Sequence, residues 1–527
     1  MRKPLKQEAG VLSLIFASLG SMIGSGWLFG PLHAAQIAGP YSLIAWFIGG
    51  VAIMLLAMVY AELTALMPYS GAVIHFPRIS HGELAARIYS WINFLGYVCI
   101  APVETMAIIS YTNNIWPGLT TYAGVLTTTG LTCACLLLGF FTLINFLSIR
   151  WVLRINNWTM WWKLSIPILT IFLLIFISNH NNNLMIHEKT LARSWPEILH
   201  AISASGIIFS FLGFRQAVEL AGESRNSSYV LPLSIIGSVG IGLLLYLGLQ
   251  YAFLISVPSY SLHNGWGHLK FTGMAGPFAG LATIAGAGWL VNLLYIDAIV
   301  SPGGTAYIYI TTSARVTLAM ADSGLIPHII QKLNKSGIPW VATLVSFVVG
   351  IIFLFPFPSW QKMVGAISSI ALLAYAIGPV TLLSLRKNLP HLPRPFRLPF
   401  ANIAASISFI ISNFIIYWAG YKTVSFLFGF ITIFFLSYLL HLKIISGKSL
   451  VTLPWRQSLW IGPYYLGLWF ISFIMNYKII TFPWDLISIS LLSLFILYLA
   501  VHSSSKEKEI LLALASLDKL HGHSTPR

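Results

Sequence analysis

Acidic residues are scarce in this chain. Asp and Glu number 14 among 527 residues, against 30 Lys and Arg, and charged residues of both signs reach only 8%. A soluble domain carries roughly 25%, so this shortage excludes a soluble globular protein. The basic excess does not point to nucleic acid, because no basic cluster is interleaved with aromatics on a polar surface. The Lys and Arg are instead dispersed between apolar runs. Cysteine is rarer still. Cys99, Cys133 and Cys135 all lie in apolar segments, which indicates neither a disulfide framework nor a metal site. Cys133 and Cys135 are two apart and do not share a helix face, so they read as packing residues. The 14 histidines show no HExxH spacing and accompany no nucleophile motif. A membrane enzyme, a metal and an organic cofactor are therefore not expected.

What is abundant is apolar sequence, 57% of the chain. Divided into lengths near the ~20 residues that span a bilayer, it reads as an all-α integral membrane protein with about 14 transmembrane helices. The first runs from Val11 to Ala38 and the last from Trp484 to Val501. The first segment is too long for a removable signal peptide and lacks a small-residue cleavage site, so the start of the chain is expected to be retained. Lys and Arg placement sets the orientation. With both termini cytoplasmic, the outer side receives only Lys189, Arg193, Lys270, Lys362, Lys422 and Lys478, while Lys163 and Arg215 stay inside the membrane. All other basic residues fall on the inner side, and shifting a single span destroys this asymmetry. The polar loop Asn179–Leu199, with Asn181-Asn182-Asn183, reads as a surface connector outside. The tail Ser503–Arg527 carries Ile510-Leu511-Leu512-Ala513-Leu514, which suits either a short helix on the inner leaflet or a frayed end.

The first span contains Gly20-Ser21-Met22-Ile23-Gly24-Ser25-Gly26-Trp27-Leu28-Phe29-Gly30-Pro31. Glycine costs a helix roughly 1 kcal/mol per position against alanine, so this cluster predicts an interruption. Broken backbone in hydrocarbon is tolerated only where it lines a cavity or is buried in protein. The freed N–H groups at the start of the following half-helix suit a carboxylate. The alternative is close packing of helices on small residues. In the sixth span, Gly206-Ile207-Ile208-Phe209-Ser210-Phe211-Leu212-Gly213-Phe214-Arg215 predicts a second break near Ser210–Gly213. Breaks five spans apart, in halves of opposite orientation, are what a five-plus-five inverted repeat with discontinuous helices 1 and 6 requires, with substrate held between them at mid-membrane.

Four stretches carry a resemblance. GSMIGSGWLFGP, YAELTALMPYSGAVIHFPRISHG (Tyr60–Gly82), FSFLGFRQAVELAGESRNSSYVLP (Phe209–Pro232) and SARVTLAMADSGLIP (Ser313–Pro327) resemble motifs of the amino acid–polyamine–organocation superfamily of amino acid permeases, in that family's order. The resemblance implies the inverted-repeat fold and a division into residues 1–10 (cytoplasmic start), 11–385 (transport core), 386–502 (additional helices 11–14, the last two matched by some members only) and 503–527 (cytoplasmic tail). It implies that the amides around Gly24, Ser25 and Gly26 hold a substrate carboxylate. It further implies that carbonyls near Met22, Phe209, Ser210 and Leu212 hold the ammonium group, with Phe209 as an aromatic gate. Ordinary core packing is the plainer reading of Phe209.

Ionisable groups within spans cost at least ~2.5 kcal/mol each and are functional hypotheses by default. Lys163 lies about 10 Å from the inner surface. A desolvated lysine can exchange protons near neutrality, and in proton-coupled members of the resembled family a lysine here replaces the coupling ion. Snorkelling to the inner interface is the alternative. Counting along the eighth span places Thr305, and then Ser301, within reach of Lys163, and Asp297 beyond it. Asp297 is left to the outer vestibule, and Ser301-Pro302-Gly303-Gly304 to a break or a plain kink. Glu104, at mid-depth of the third span, carries a proton or meets a cationic substrate, or is a satisfied buried carboxyl. Arg215 departs from the family, where this position is often acidic, and its spacing to Glu219 predicts an i, i+4 ion pair.

The expected function is a secondary amino acid transporter of the plasma (inner) membrane working by alternating access. Its partners are an amino acid, protons and membrane lipid, without nucleic acid. Amino acid or amine antiport and a non-transporting nutrient receptor are the alternatives. No complete Gly-x-x-x-x-Gly-Lys-Ser/Thr phosphate loop is present, so ATP-driven transport would need another subunit.

Overall fold

The structure is a computed structural model. It describes residues 8–122, 124–146, 149–177, 181–184, 191–271, 276–334, 337–444 and 455–521. Among these residues the chain is helical, with three isolated bridges and no sheet. The helices used below are α1 (Val11–Met22), α2 (Gly26–Ala38), α3 (Ser42–Leu66), α4 (Ala72–Val98), α5 (Ile100–Thr112), α6 (Thr128–Asn145), α7 (Ile149–Ile177), α8 (Leu191–Ala204), α9 (Ile207–Phe211), α10 (Arg215–Glu219), α11 (Val230–Ser256), α12 (Gly276–Ile284), α13 (Gly288–Asp322), α14 (Trp340–Leu354), α15 (Trp360–Tyr375), α16 (Ile377–Asn388), α17 (Ala401–Trp418), α18 (Tyr421–Ile444), α19 (Trp455–Ser458), α20 (Ile461–Asn476), α21 (Trp484–Ser503) and α22 (Glu507–His521). Among the described residues eleven helices are long and apolar enough to cross a membrane, or up to 12 if one bent pair counts as a span. In lipid only internally satisfied backbone can span, so the chain is an integral multi-pass membrane protein.

The first span is interrupted where its glycines cluster, with Ile23–Ser25 lying outside both α1 and α2. The reason is close approach. A Cβ built on Gly24 would lie 2.4 Å from Glu104 Oε1, and one on Gly26 would lie 2.3 Å from Ser210 Oγ. The sixth span breaks earlier than its sequence predicts. The interruption falls at Ser205–Gly206 instead of Ser210–Gly213, and the flanking pieces are bent by 50°. Gly206 has φ +96°, a left-handed conformation that costs a side-chain-bearing residue about 1–2 kcal/mol. Around Ser210–Gly213 the chain only tightens into a 3₁₀ turn, Leu212–Phe214. The eighth span, α13, runs as one 35-residue helix through Pro302, so the Ser301–Gly304 stretch does not break it.

Two peripheral segments also make contacts that their sequence reading left out. Asn183 is buried and its amide donates to Leu254 O (3.0 Å) and Val257 O (2.6 Å), so this loop is pinned to the end of α11. Residues 178–180 and 185–190 of the same loop lie outside the described residues. Over residues 507–521 the tail forms a helix, α22, and not a frayed end, and it packs on α4 with Ile510, Leu514 and Leu517 buried. Tyr69 donates to Asp518 Oδ1 at 2.7 Å.

Candidate functional site

The first interruption packs against the sixth span just beyond its own break. Ser21 Oγ donates to Gly213 O (3.0 Å) and Ser18 Oγ to Phe214 O (3.3 Å), which stitches α1 to the turn after α9. Tyr246 of α11 stands between α1 and α9, with its hydroxyl 2.9 Å from Met22 O and 3.1 Å from Ser210 O. Tyr375 of α15 donates to Leu212 O (3.1 Å). The carbonyls of Met22 and Ser210 therefore converge on one tyrosine hydroxyl, and that of Leu212, two residues on, is reached by another. Phe209 is buried and meets Trp360 edge-on, with centroids 6.2 Å apart. Trp360 opens α15, donates its indole N–H to Ser25 Oγ (2.8 Å) and packs on Phe29 and His33.

The amide cluster is occupied from within the chain. Ser25 N–H, at the start of α2, donates to Glu104 Oε2 at 2.8 Å, and Glu104 Oε1 has no hydrogen-bond partner. A carboxylate thus sits on the positive end of a half-helix, and it belongs to α5. The space exists because Gly24 lacks a side chain: a Cβ there would lie 2.4 Å from Glu104 Oε1 and 2.9 Å from Thr305 Oγ1.

Lys163 does not snorkel. It is 1% exposed, and its ammonium donates to Gly20 O (2.6 Å) and Thr305 Oγ1 (2.7 Å). The structure therefore joins Lys163 and Thr305 to the base of the first break. Ser301 donates instead to Asp297 Oδ1 (2.6 Å), one turn earlier on α13, where both are fully buried and Asp297 Oδ2 has no hydrogen-bond partner. Arg215 and Glu219 do not form the ion pair expected from their spacing. The guanidinium lies over Tyr97 (3.9 Å) and Tyr375 (4.6 Å), while Glu219 Oε1 accepts from the Tyr97 hydroxyl. Packing against α4 places Tyr97 where the carboxylate was expected to meet the guanidinium.

Tyr246, Trp360, Tyr375 and Tyr97 escaped the sequence reading. Tyr246 left one signal, a hydroxyl inside the apolar run Leu243-Leu244-Leu245-Tyr246-Leu247, because a buried tyrosine usually finds a partner for its O–H. Trp360 left none beyond its place at the start of a span.

Comparisons with known proteins place the chain in a family. The family model for amino acid permease matches residues 10–438. The chain belongs to the amino acid permease family. It is 34% identical over 504 residues to the glutamate/serine transporter AimA of Bacillus subtilis (strain 168), covering 93% of this chain and 92% of that one. It is 33% identical to an aspartate-proton symporter of the same organism over 506 residues, 94% and 96% of the two chains. The branched-chain amino acid permease BcaP of that organism is 26% identical over 445 residues, 80% and 90%. Permeases of this family are transporters, so the convergent carbonyls and amide belong to a transport protein and not to an enzyme.

Proposed function

We propose that this permease moves amino acids across the plasma membrane by alternating access, driven by protons. The observation that carries the reading is the Lys163 ammonium bonded to Gly20 O at the base of the first break. A proton on Lys163 holds α1 against α7 and α13. Its loss leaves a neutral amine, which has fewer N–H groups and donates more weakly to both acceptors, and so loosens the half-helix, which ties the break to a proton. The relatives named above share an amino acid as the thing carried, and one is named a proton symporter. An α-amino acid presents a carboxylate and an ammonium on one carbon, matching the amide end at Gly24–Gly26 and the carbonyls at Met22, Phe209, Ser210 and Leu212. Phe209 and Trp360 cover it from outside. Glu104 holds the Ser25 amide until substrate arrives, so the incoming carboxylate must displace it. Ser301 and Thr305 continue the polar path beside Lys163.

The architecture we assign is the five-plus-five inverted repeat over residues 11–385, followed by further helices over 386–502 and a cytoplasmic tail. The interruptions at Ile23–Ser25 and Ser205–Gly206 support it, five spans apart. Counting the bent pair as a span, taking α1 with α2 as one span distinct from α3, and admitting α14 makes 14 crossings with both termini cytoplasmic.

The test is uptake by the purified protein in liposomes. An imposed inward proton gradient is expected to drive accumulation of an amino acid, and Lys163→Ala to abolish that drive while leaving exchange of internal for external substrate. Uptake that ignores the gradient would assign an exchanger, and unchanged uptake by the variant would remove Lys163 from the mechanism.

A further inference from the structure

The two buried cations of the core differ in what they hold. Lys163 spends its ammonium on two acceptors at bonding distance. Arg215 does not. It is 0% exposed, its Nη1 makes one long bond to Asn93 Oδ1 (3.3 Å), and its Nε and Nη2 have no hydrogen-bond partner. Tyr97 and Tyr375 lie against the guanidinium at 3.9 and 4.6 Å. Stacking of this kind offsets part of the burial cost, but it uses the flat faces. The in-plane edge, where the N–H donors point, is left unspent. A guanidinium edge with two free donors matches a planar two-oxygen acceptor, which is a carboxylate. The nearest acidic side chain on its own helix, Glu219, is bonded by Tyr97 instead.

The position of Arg215 says whose carboxylate this is. It follows Leu212 by three residues on the broken sixth span, and the Tyr375 ring beneath it carries the hydroxyl bonded to Leu212 O. Nη2 faces the backbone of Gly96 in α4, where an added Cβ would lie at 3.6 Å. Through the Tyr375 ring, Arg215 adjoins the carbonyl cluster at Leu212 O. A ligand that places its ammonium on those carbonyls and its α-carboxylate on the amides of the first break has only its side chain left to offer. We infer that Arg215 binds a side-chain carboxylate, so that the substrates are dicarboxylic amino acids and Arg215 sets that preference. This rests on amino acids being carried at the two breaks.

Competition against uptake by wild-type proteoliposomes tests it, with L-aspartate and L-glutamate set against L-asparagine and L-glutamine. The acids are expected to win by on the order of 10²-fold, the loss typical when one partner of a buried charge pair is removed. In Arg215→Gln that margin is expected to collapse while neutral amino acids are still taken up, and Arg215→Lys is expected to keep part of it. An amide that competes as well as its acid in the wild type overturns the inference, as does a preference that survives Arg215→Gln. If the variants do not fold, thermal stabilisation of the wild type by aspartate but not asparagine upholds it, and equal stabilisation overturns it. Wild-type liposomes that accumulate no amino acid at all would instead remove the transport reading itself.

Discussion

The two interrupted spans reach the same place by different means. The first breaks because two glycines admit neighbours where a side chain would stand: Glu104 beside Gly24 and Ser210 beside Gly26. Neither glycine has a positive φ. The sixth breaks at Gly206, which has φ +96° and also lies where a Cβ would strike Trp360 at 2.8 Å. One interruption is thus a matter of room and the other of backbone conformation as well. Substitutions that add a single Cβ separate the two causes.

The largest effect is expected at Gly213, where the spans touch. An added Cβ would lie 2.5 Å from the backbone nitrogen of Met22, an atom that cannot rotate away. Gly213→Ala should push the end of α1 away from the turn after α9 at a cost of about 1–3 kcal/mol and reduce proteoliposome uptake by on the order of 10²-fold. Gly206→Ala is expected to come next, lowering thermal stability by about 1–2 kcal/mol from backbone strain alone. Displacement of Trp360 should also be visible as a change in its fluorescence. Tyr246→Phe removes the hydroxyl that reaches both Met22 O and Ser210 O. A loss near 1 kcal/mol predicts a several-fold fall in uptake, with more exchange than gradient-driven transport remaining. The smallest effect belongs to Gly429 in α18, exposed and with nothing within 4 Å of an added Cβ. Gly429→Ala should leave uptake unchanged and raise the melting temperature slightly, because alanine favours helix by about 1 kcal/mol.

Much of the site was readable in advance. The density of glycines around Gly24 located the first break, and counting along spans placed Thr305 within reach of Lys163, where its hydroxyl lies at 2.7 Å. The sixth break was misplaced by nearly two turns because nothing in the sequence separates Gly206 from Gly213. Both lie in one apolar run, and φ belongs to the folded chain. The Arg215–Glu219 pair was read from spacing on one helix, and spacing is blind to Tyr97 arriving from another.

Composition, the placement of Lys and Arg and the glycine-rich first span determined by themselves that this is a many-helix membrane protein with an interrupted first helix and a charge buried beside it. Those properties depend on chain-local physics: transfer of apolar residues from water and the intrinsic cost of glycine in a helix. Tertiary structure alone decided that Glu104 takes the Ser25 amide, that Tyr246 and Trp360 join the two interrupted spans, and that Arg215 keeps two donors free. Each of these depends on which helix faces which. That choice is made when whole helices pack, because spacing within one helix states the face a residue occupies and not the neighbour it meets.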